Sequence, residues 1–166
     1  MGRFTAGPAL AKGFYGQKRL VCIGFAVACL SFPPQIKPMG AALDVVQKGY
    51  AAFGRRDIPA LLKLVADEVD WKEVCPASLP YSGLRRNPTE VGEFFAALDQ
   101  VEDVTVFEPR EFIEAGENVT VLGYSESTVR DTQQKVQSEW VQVFTVRNGK
   151  ITRWHGFFDT AARFGH

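Results

Sequence analysis

From residue 41 onward the apolar positions recur first at the spacing of a helix and later at that of a strand. Leu43, Val46, Tyr50 and Phe53 are three or four apart and form an apolar stripe that stops at Gly54, which predicts an amphipathic helix. Asp57 is placed to cap a second helix, with Pro59 in its first turn and Leu61, Leu62, Leu64 and Val65 on its buried face. Val69 to Val74 alternates and predicts a short strand, and the Pro-, Gly- and Ser-rich stretch 76–86 predicts a loop. Asn87-Pro88 opens a third helix with Val91, Phe94, Phe95 and Leu98 on its inner side. After Asp103 the period falls to two. Val104 to Phe107 and Arg110 to Ala115 predict a strand interrupted at Pro109, on a sheet edge or at a bulge. A second strand runs from Val119 to Val129, with Tyr124 near its middle. Helices first, with one short strand among them, and then an antiparallel meander make an α+β plan with helices on one side of a sheet.

The meander ends in a hairpin within Val136 to Ala162, whose turn is Asn148-Gly149. Asn-Gly is the strongest short-range signal for a two-residue turn in which both residues take φ > 0. Regular pairing from that turn sets Val146 opposite Ile151, Phe144 opposite Arg153, Gln142 opposite His155, Trp140 opposite Phe157 and Ser138 opposite Asp159. This face carries an amide, an imidazole and a carboxylate among aromatic rings, the mixture of a ligand pocket. The other face then carries Val141, Val143, Trp154 and Phe158. Three helices cover only one side of the sheet, so this second apolar face predicts a homodimer through the outer sheet surface.

Residues 1–38 differ from the rest. They hold no acidic residue, and Arg3, Lys12, Lys18 and Arg19 precede the apolar run Leu20 to Phe32. A basic start followed by a short apolar core is the pattern of a secretory signal, too short for a comfortable membrane span. A second reading is open, because Met39 stands directly before the first helix and is itself a plausible start. The folded domain is then 39–166, with no membrane span of its own, cytoplasmic if translation begins at Met39 and exported if 1–38 is a signal.

Charge and composition narrow the chemistry. Nineteen basic and nineteen acidic side chains cancel in a chain of 166 residues, which leaves no electrostatic footprint for nucleic acid. Of the three cysteines only Cys75 lies in the domain, and the two histidines, His155 and His166, make no metal cluster. Phosphate-binding loops, dinucleotide fingerprints and nucleophile elbows are missing from the sequence, so no cofactor is implied. Chemistry falls to carboxylates, amides, hydroxyls and one imidazole. The candidates are Asp159, Glu73 and His155 for proton transfer, with Gln142, Trp140, Phe157, Tyr50 and Tyr124 around a small apolar ligand.

Three segments carry a resemblance: VVQKGYAAFGRRDIPALLKLVADEVDW (45–71), PYSGLRRNPTEVGEFFAAL (80–98) and EWVQVFTVRNGKITRWHGFFDTAA (139–162). Together they resemble the SnoaL-like and ketosteroid-isomerase-related proteins of the nuclear transport factor 2-like superfamily. The resemblance implies a cone-shaped α+β barrel, in which a curved antiparallel sheet wraps an apolar cavity closed by N-terminal helices. It also implies a small-molecule-binding domain, either a cofactor-independent isomerase, cyclase or hydrolase working through a carboxylate, or a non-catalytic binding or dimerisation module. Glu73 falls about where ketosteroid isomerases keep their carboxylate base, their oxyanion-hole tyrosine falls near Gly49 beside Tyr50, and their protonated aspartic acid falls at Gln142. Asp159 is placed like the late-strand aspartate of SnoaL-like cyclases.

Overall fold

The computed structural model describes residues 40–164. The segment 1–38, read above as separate from the domain, and His166 lie outside the described residues. Helix α1 (Ala41–Gly54) buries Ala42, Val45, Val46, Gly49 and Ala52, and Tyr50 and Phe53 turn toward the sheet. Helix α2 (Ile58–Leu62) starts where Asp57 accepts the Ala60 N–H at 3.0 Å. It is shorter than its apolar pattern predicts, because Val65 already opens strand β1 (Val65–Val74), paired with Ile151. The apolar run after Asp57 therefore serves two elements, and a tertiary partner decides where one stops.

Strand β2 (Gly83–Arg85) forms inside the segment expected to be loop and pairs antiparallel with β1. Helix α3 (Pro88–Val101) is capped by Asn87, which accepts from Glu90 N, while the Glu90 carboxylate accepts from Arg86 N at 2.7 Å. Four long strands follow: β3 (Glu102–Ala115), β4 (Asn118–Val129), β5 (Lys135–Arg147) and β6 (Lys150–Phe158), and then a short helix, α4 (Thr160–Phe164). The curved six-stranded sheet has the order β2-β1-β6-β5-β4-β3, with β1 and β6 the one parallel pair. The α+β meander thus stands as expected. Pro109 does not break β3, which is an edge strand and absorbs irregularity as register shifts between Val104 and Val106 and between Pro109 and Glu111.

The hairpin corrects one expectation with wide effect. Asn148 (φ 51°) and Gly149 (φ 74°) make the expected turn, and Val146 faces Ile151. Thr145 then pairs with Arg153, so β6 holds one extra residue at Thr152. Beyond that bulge Phe144 faces Trp154, Gln142 faces Gly156 and Trp140 faces Phe158. Since side chains alternate with period two, one inserted residue exchanges the two faces of the strand. Trp154, Gly156 and Phe158 therefore point inward, and Arg153, His155 and Phe157 point outward. Trp154 is not part of an outer patch. It is buried and stacks on Trp71, ring centroids 4.4 Å apart.

Candidate functional site

Between α1, α3 and the inner face of the sheet lies a cavity of about 140 Å³. Its wall is mostly aromatic. Tyr50 sits at the centre, its ring centroid 5.8 Å from Phe112 and Phe144 and 6.2 Å from Phe107 and Trp140. Phe107 and Trp140 lie nearly parallel at 4.7 Å. Trp140 reaches that place because its β4 neighbour is Gly123: a Cβ there would come within 2.1 Å of the indole and 2.5 Å of the Glu108 carbonyl.

Three strands bring the polar groups together at one level of the sheet. Gly156 on β6 is flanked by Glu73 on β1 and Gln142 on β5. With strands about 4.8 Å apart, the two flanking Cα atoms are about 10 Å from each other. Glu73 leans over the glycine, where a Cβ would lie 2.5 Å from its Oε2 and 2.7 Å from the Trp154 ring. Glu73 accepts no hydrogen bond from any described residue. Burial, and after it the negative charge of Glu102, raises its pKa from 4.5 to about 8. At pH 7 about a tenth of the molecules carry the charge.

Gln142 is fixed from behind. Its Oε1 accepts from the Tyr50 hydroxyl at 2.8 Å and from Trp154 Nε1 at 3.2 Å. An indole N–H only donates, so the amide must present its oxygen to Trp154, which leaves Nε2 as an uncommitted donor on the cavity wall. Burial pushes the Tyr50 phenol far up, keeping it a neutral donor. The indole N–H groups of Trp71 and Trp140 are likewise buried without an acceptor among the described residues.

A second carboxylate on the wall is saturated. Glu102 accepts from Tyr81 at 2.7 Å and Ser127 at 2.9 Å, and its Oε1 is 2.6 Å from Arg163 Nη1, a close charge contact off the line of the N–H. Arg163 comes from α4 and is buried. Asp159 serves this arrangement at one remove. It is exposed, and its Oδ1 accepts from Ala161 N at 2.9 Å and Ala162 N at 3.2 Å, capping the helix that carries Arg163.

Of the residues singled out from sequence, the structure brings Glu73, Gln142, Trp140 and Tyr50 into the cavity. Four others stand elsewhere. Asp159 is the exposed cap just described. His155 is on the outer face, Nε2 3.0 Å from Asp70 and Nδ1 3.1 Å from Arg153. Phe157 borders the cavity but its side chain belongs to the outer surface, paired with Val141 and 42% exposed. Tyr124 also faces outward, beneath the Arg110 guanidinium at 4.5 Å, with its hydroxyl on Glu126. The extra residue in β6 moved His155 and Phe157, and the β4 register puts Tyr124 opposite Glu139 on the outer side. Gly156, Glu102, Tyr81 and Arg163 belong to the site and were not foreseen. Nothing local marks them, since each matters through strand neighbours distant in sequence. Among the described residues no metal-ligating group of three or more side chains occurs, and no helix is long and apolar enough to cross a membrane.

Comparison with solved structures finds the same fold in known proteins. An NTF2-like protein of unknown function from Burkholderia pseudomallei is 28% identical, with a TM-score of 0.69 over 76% of this chain and 97% of that one. An NTF2-like protein from Burkholderia xenovorans is 29% identical, with a TM-score of 0.66 over 74% and 92%. TerC, crystallised with polyporic acid, is 29% identical, with a TM-score of 0.65 over 75% and 96%. Among curated protein sequences no match is found. The profile of the SnoaL-like domain matches residues 46–154, most of the described chain, and with the cone of helices and sheet around an aromatic cavity it establishes that this protein belongs to the SnoaL-like domain family.

Proposed function

We propose that the domain is a cofactor-independent acid/base enzyme that moves a proton next to the carbonyl of a mostly apolar compound. Glu73 is the proton-transferring group, and Gln142 Nε2 holds the carbonyl oxygen. The observation that carries the reading is the pair itself: an unpartnered carboxyl and a free amide donor, straddling Gly156 in an apolar cavity. A base with pKa near 8 is far stronger than an ordinary carboxylate and is well matched to carbon acids. The co-crystallisation of TerC, 29% identical, with polyporic acid is in keeping with a cavity for a small organic compound. The test is deuterium exchange α to the carbonyl of aryl ketones in D₂O, followed by NMR. Exchange should rise with pH through about 8 and fall by about 10²–10⁴-fold in Glu73→Gln. Exchange that survives unchanged in that variant overturns the assignment and leaves a binding module.

We also infer a homodimer through the outer sheet face, in which Val141 remains from the patch the sequence suggested and Trp154 and Phe158 do not take part. Val74, Phe157, Val141 and Leu122 form one apolar row across β1, β6, β5 and β4. Charges of both signs border it, Asp70, Lys72, Arg153 and Glu139, and such a mixed rim can complement itself about a two-fold axis.

A further inference from the structure

The cavity has two chambers. The inner one, about 140 Å³, holds Glu73, Gln142 and all three tryptophans of the chain. An outer one of about 720 Å³ shares Tyr50, Phe53, Phe95 and Phe107 with it and opens past the C-terminal end of α1 and the side of β3. Size separates what each can take. A cavity of ~150 Å³ is filled by one benzene molecule, so the inner chamber matches a single six-membered ring better than a fused pair. Whatever else a ligand carries must lie in the outer chamber.

Three charged residues line that outer chamber: Arg56, Asp99 and Glu102. Glu102 is saturated by Tyr81, Ser127 and Arg163, and Asp99 lies 3.5 Å from Arg130. The Arg56 guanidinium has no ion pair or hydrogen bond among the described residues. The chain reverses at Arg56 with φ 58°, its N–H bonded to the Phe53 carbonyl at 2.8 Å, so the backbone that carries this exposed side chain is a left-handed corner of the mouth. Arg56 lies six residues after Tyr50, which braces Gln142, and two beyond the end of α1.

We infer that the ligand of this site is a monocyclic aryl or cycloalkenyl carbonyl compound with a short arm ending in a carboxylate, the ring in the inner chamber and the carboxylate on Arg56. The inference deepens the reading of Glu73 and Gln142 given above, which it uses only to orient the carbonyl. It makes Arg56 the residue that selects for acids and the wall of Trp71, Trp140 and Phe107 the limit on ring size.

Quenching of tryptophan fluorescence reads occupancy directly, because every tryptophan lines the inner chamber. The probes are benzoylpropionate, its methyl ester and naphthoylpropionate, titrated into the full chain and into Arg56→Gln, with thermal midpoints confirming that both are folded. Benzoylpropionate should bind about tenfold tighter than its ester, and Arg56→Gln should level the two. Naphthoylpropionate should bind about tenfold weaker than benzoylpropionate. Equal affinity for acid and ester, an acid preference that persists in Arg56→Gln, a naphthyl ketone bound as tightly as the phenyl one, or no binding by any probe overturns the inference. Deuterium exchange in the same samples separates the two claims. Lost acid preference with intact exchange defeats the ligand class alone, and intact preference without exchange defeats the catalytic reading alone.

Discussion

Glu73 should make the stability of this domain fall as pH rises, and Glu73→Gln should abolish that dependence. Burial and the charge of Glu102 lift the folded-state pKa from 4.5 to about 8. Below the lower value the group is protonated in both states and the contribution is fully present. Between the two values the native state keeps a proton that the unfolded chain has released, so stability declines with each step up in pH. Each pH unit removes about 1.4 kcal/mol, about 5 kcal/mol over the whole window, and above pH 8 no more is lost. Water entering the cavity to solvate the carboxylate would lower the folded pKa and the loss together, by about 1.4 kcal/mol for each unit. Glutamine keeps the shape and cannot ionise. Urea denaturation of both proteins at intervals from about pH 4 to 9, extrapolated linearly to water, isolates the group as the difference between the two stability curves. The difference should be small at the acid end and grow in favour of the variant up to about pH 8. Parallel curves, or a variant that loses stability faster than the wild type, would refute the half-buried, unpartnered carboxyl on which the site depends.

Three further outcomes follow from the same geometry. Gly156→Ala puts a methyl group 2.5 Å from Glu73 Oε2 and 2.7 Å from the Trp154 ring, and should destabilise by about 1–3 kcal/mol in urea while lowering the alkaline midpoint seen for Glu73; a neutral substitution would mean that the carboxyl does not lie over the glycine. Arg163→Met leaves Glu102 buried against Tyr81 and Ser127 without its cation, and should remove about 3–5 kcal/mol at pH 7, with much of the loss recovered when Glu102→Gln is added. Phe157→Glu should convert a dimer to a folded monomer by light scattering at micromolar concentration, whereas Trp154→Glu, in the core, should unfold the chain. A wild-type monomer rules the interface out.

Helix α1, helix α3, the four-strand meander and the Asn148-Gly149 turn were all legible, because each is dictated by local periodicity and by residues that suit a particular φ or cap. Glu73 and Gln142 were legible too, through alternation within β1 and β5 and through the family resemblance. What was not legible is non-local. Strand β2 is three residues held by β1, without a pattern of its own. The extra residue at Thr152 leaves no mark in composition, yet it turned His155 away from the cavity and Trp154 into it. Asp159 has the sequence context of a cap and of a catalytic acid alike, and only the N–H groups of Ala161 and Ala162 on its Oδ1 decide between them.

The insertion of β6 between β1 and β5 has a kinetic consequence. Glu73 and Gln142 stand on strands that have no contact until the last strand of the domain slides between them and supplies Gly156. The parallel β1–β6 ladder joins residues more than eighty positions apart, a long loop to close before any contact rewards it. At ~5–20 residues per second, a ribosome completes both polar partners well before the strand that unites them. A nascent or truncated chain ending before Lys150 has every side chain of the pair and no site. Assembly of the binding chamber therefore requires β6, and a chain that lacks it leaves the flank of β5 unpaired and open to any other strand.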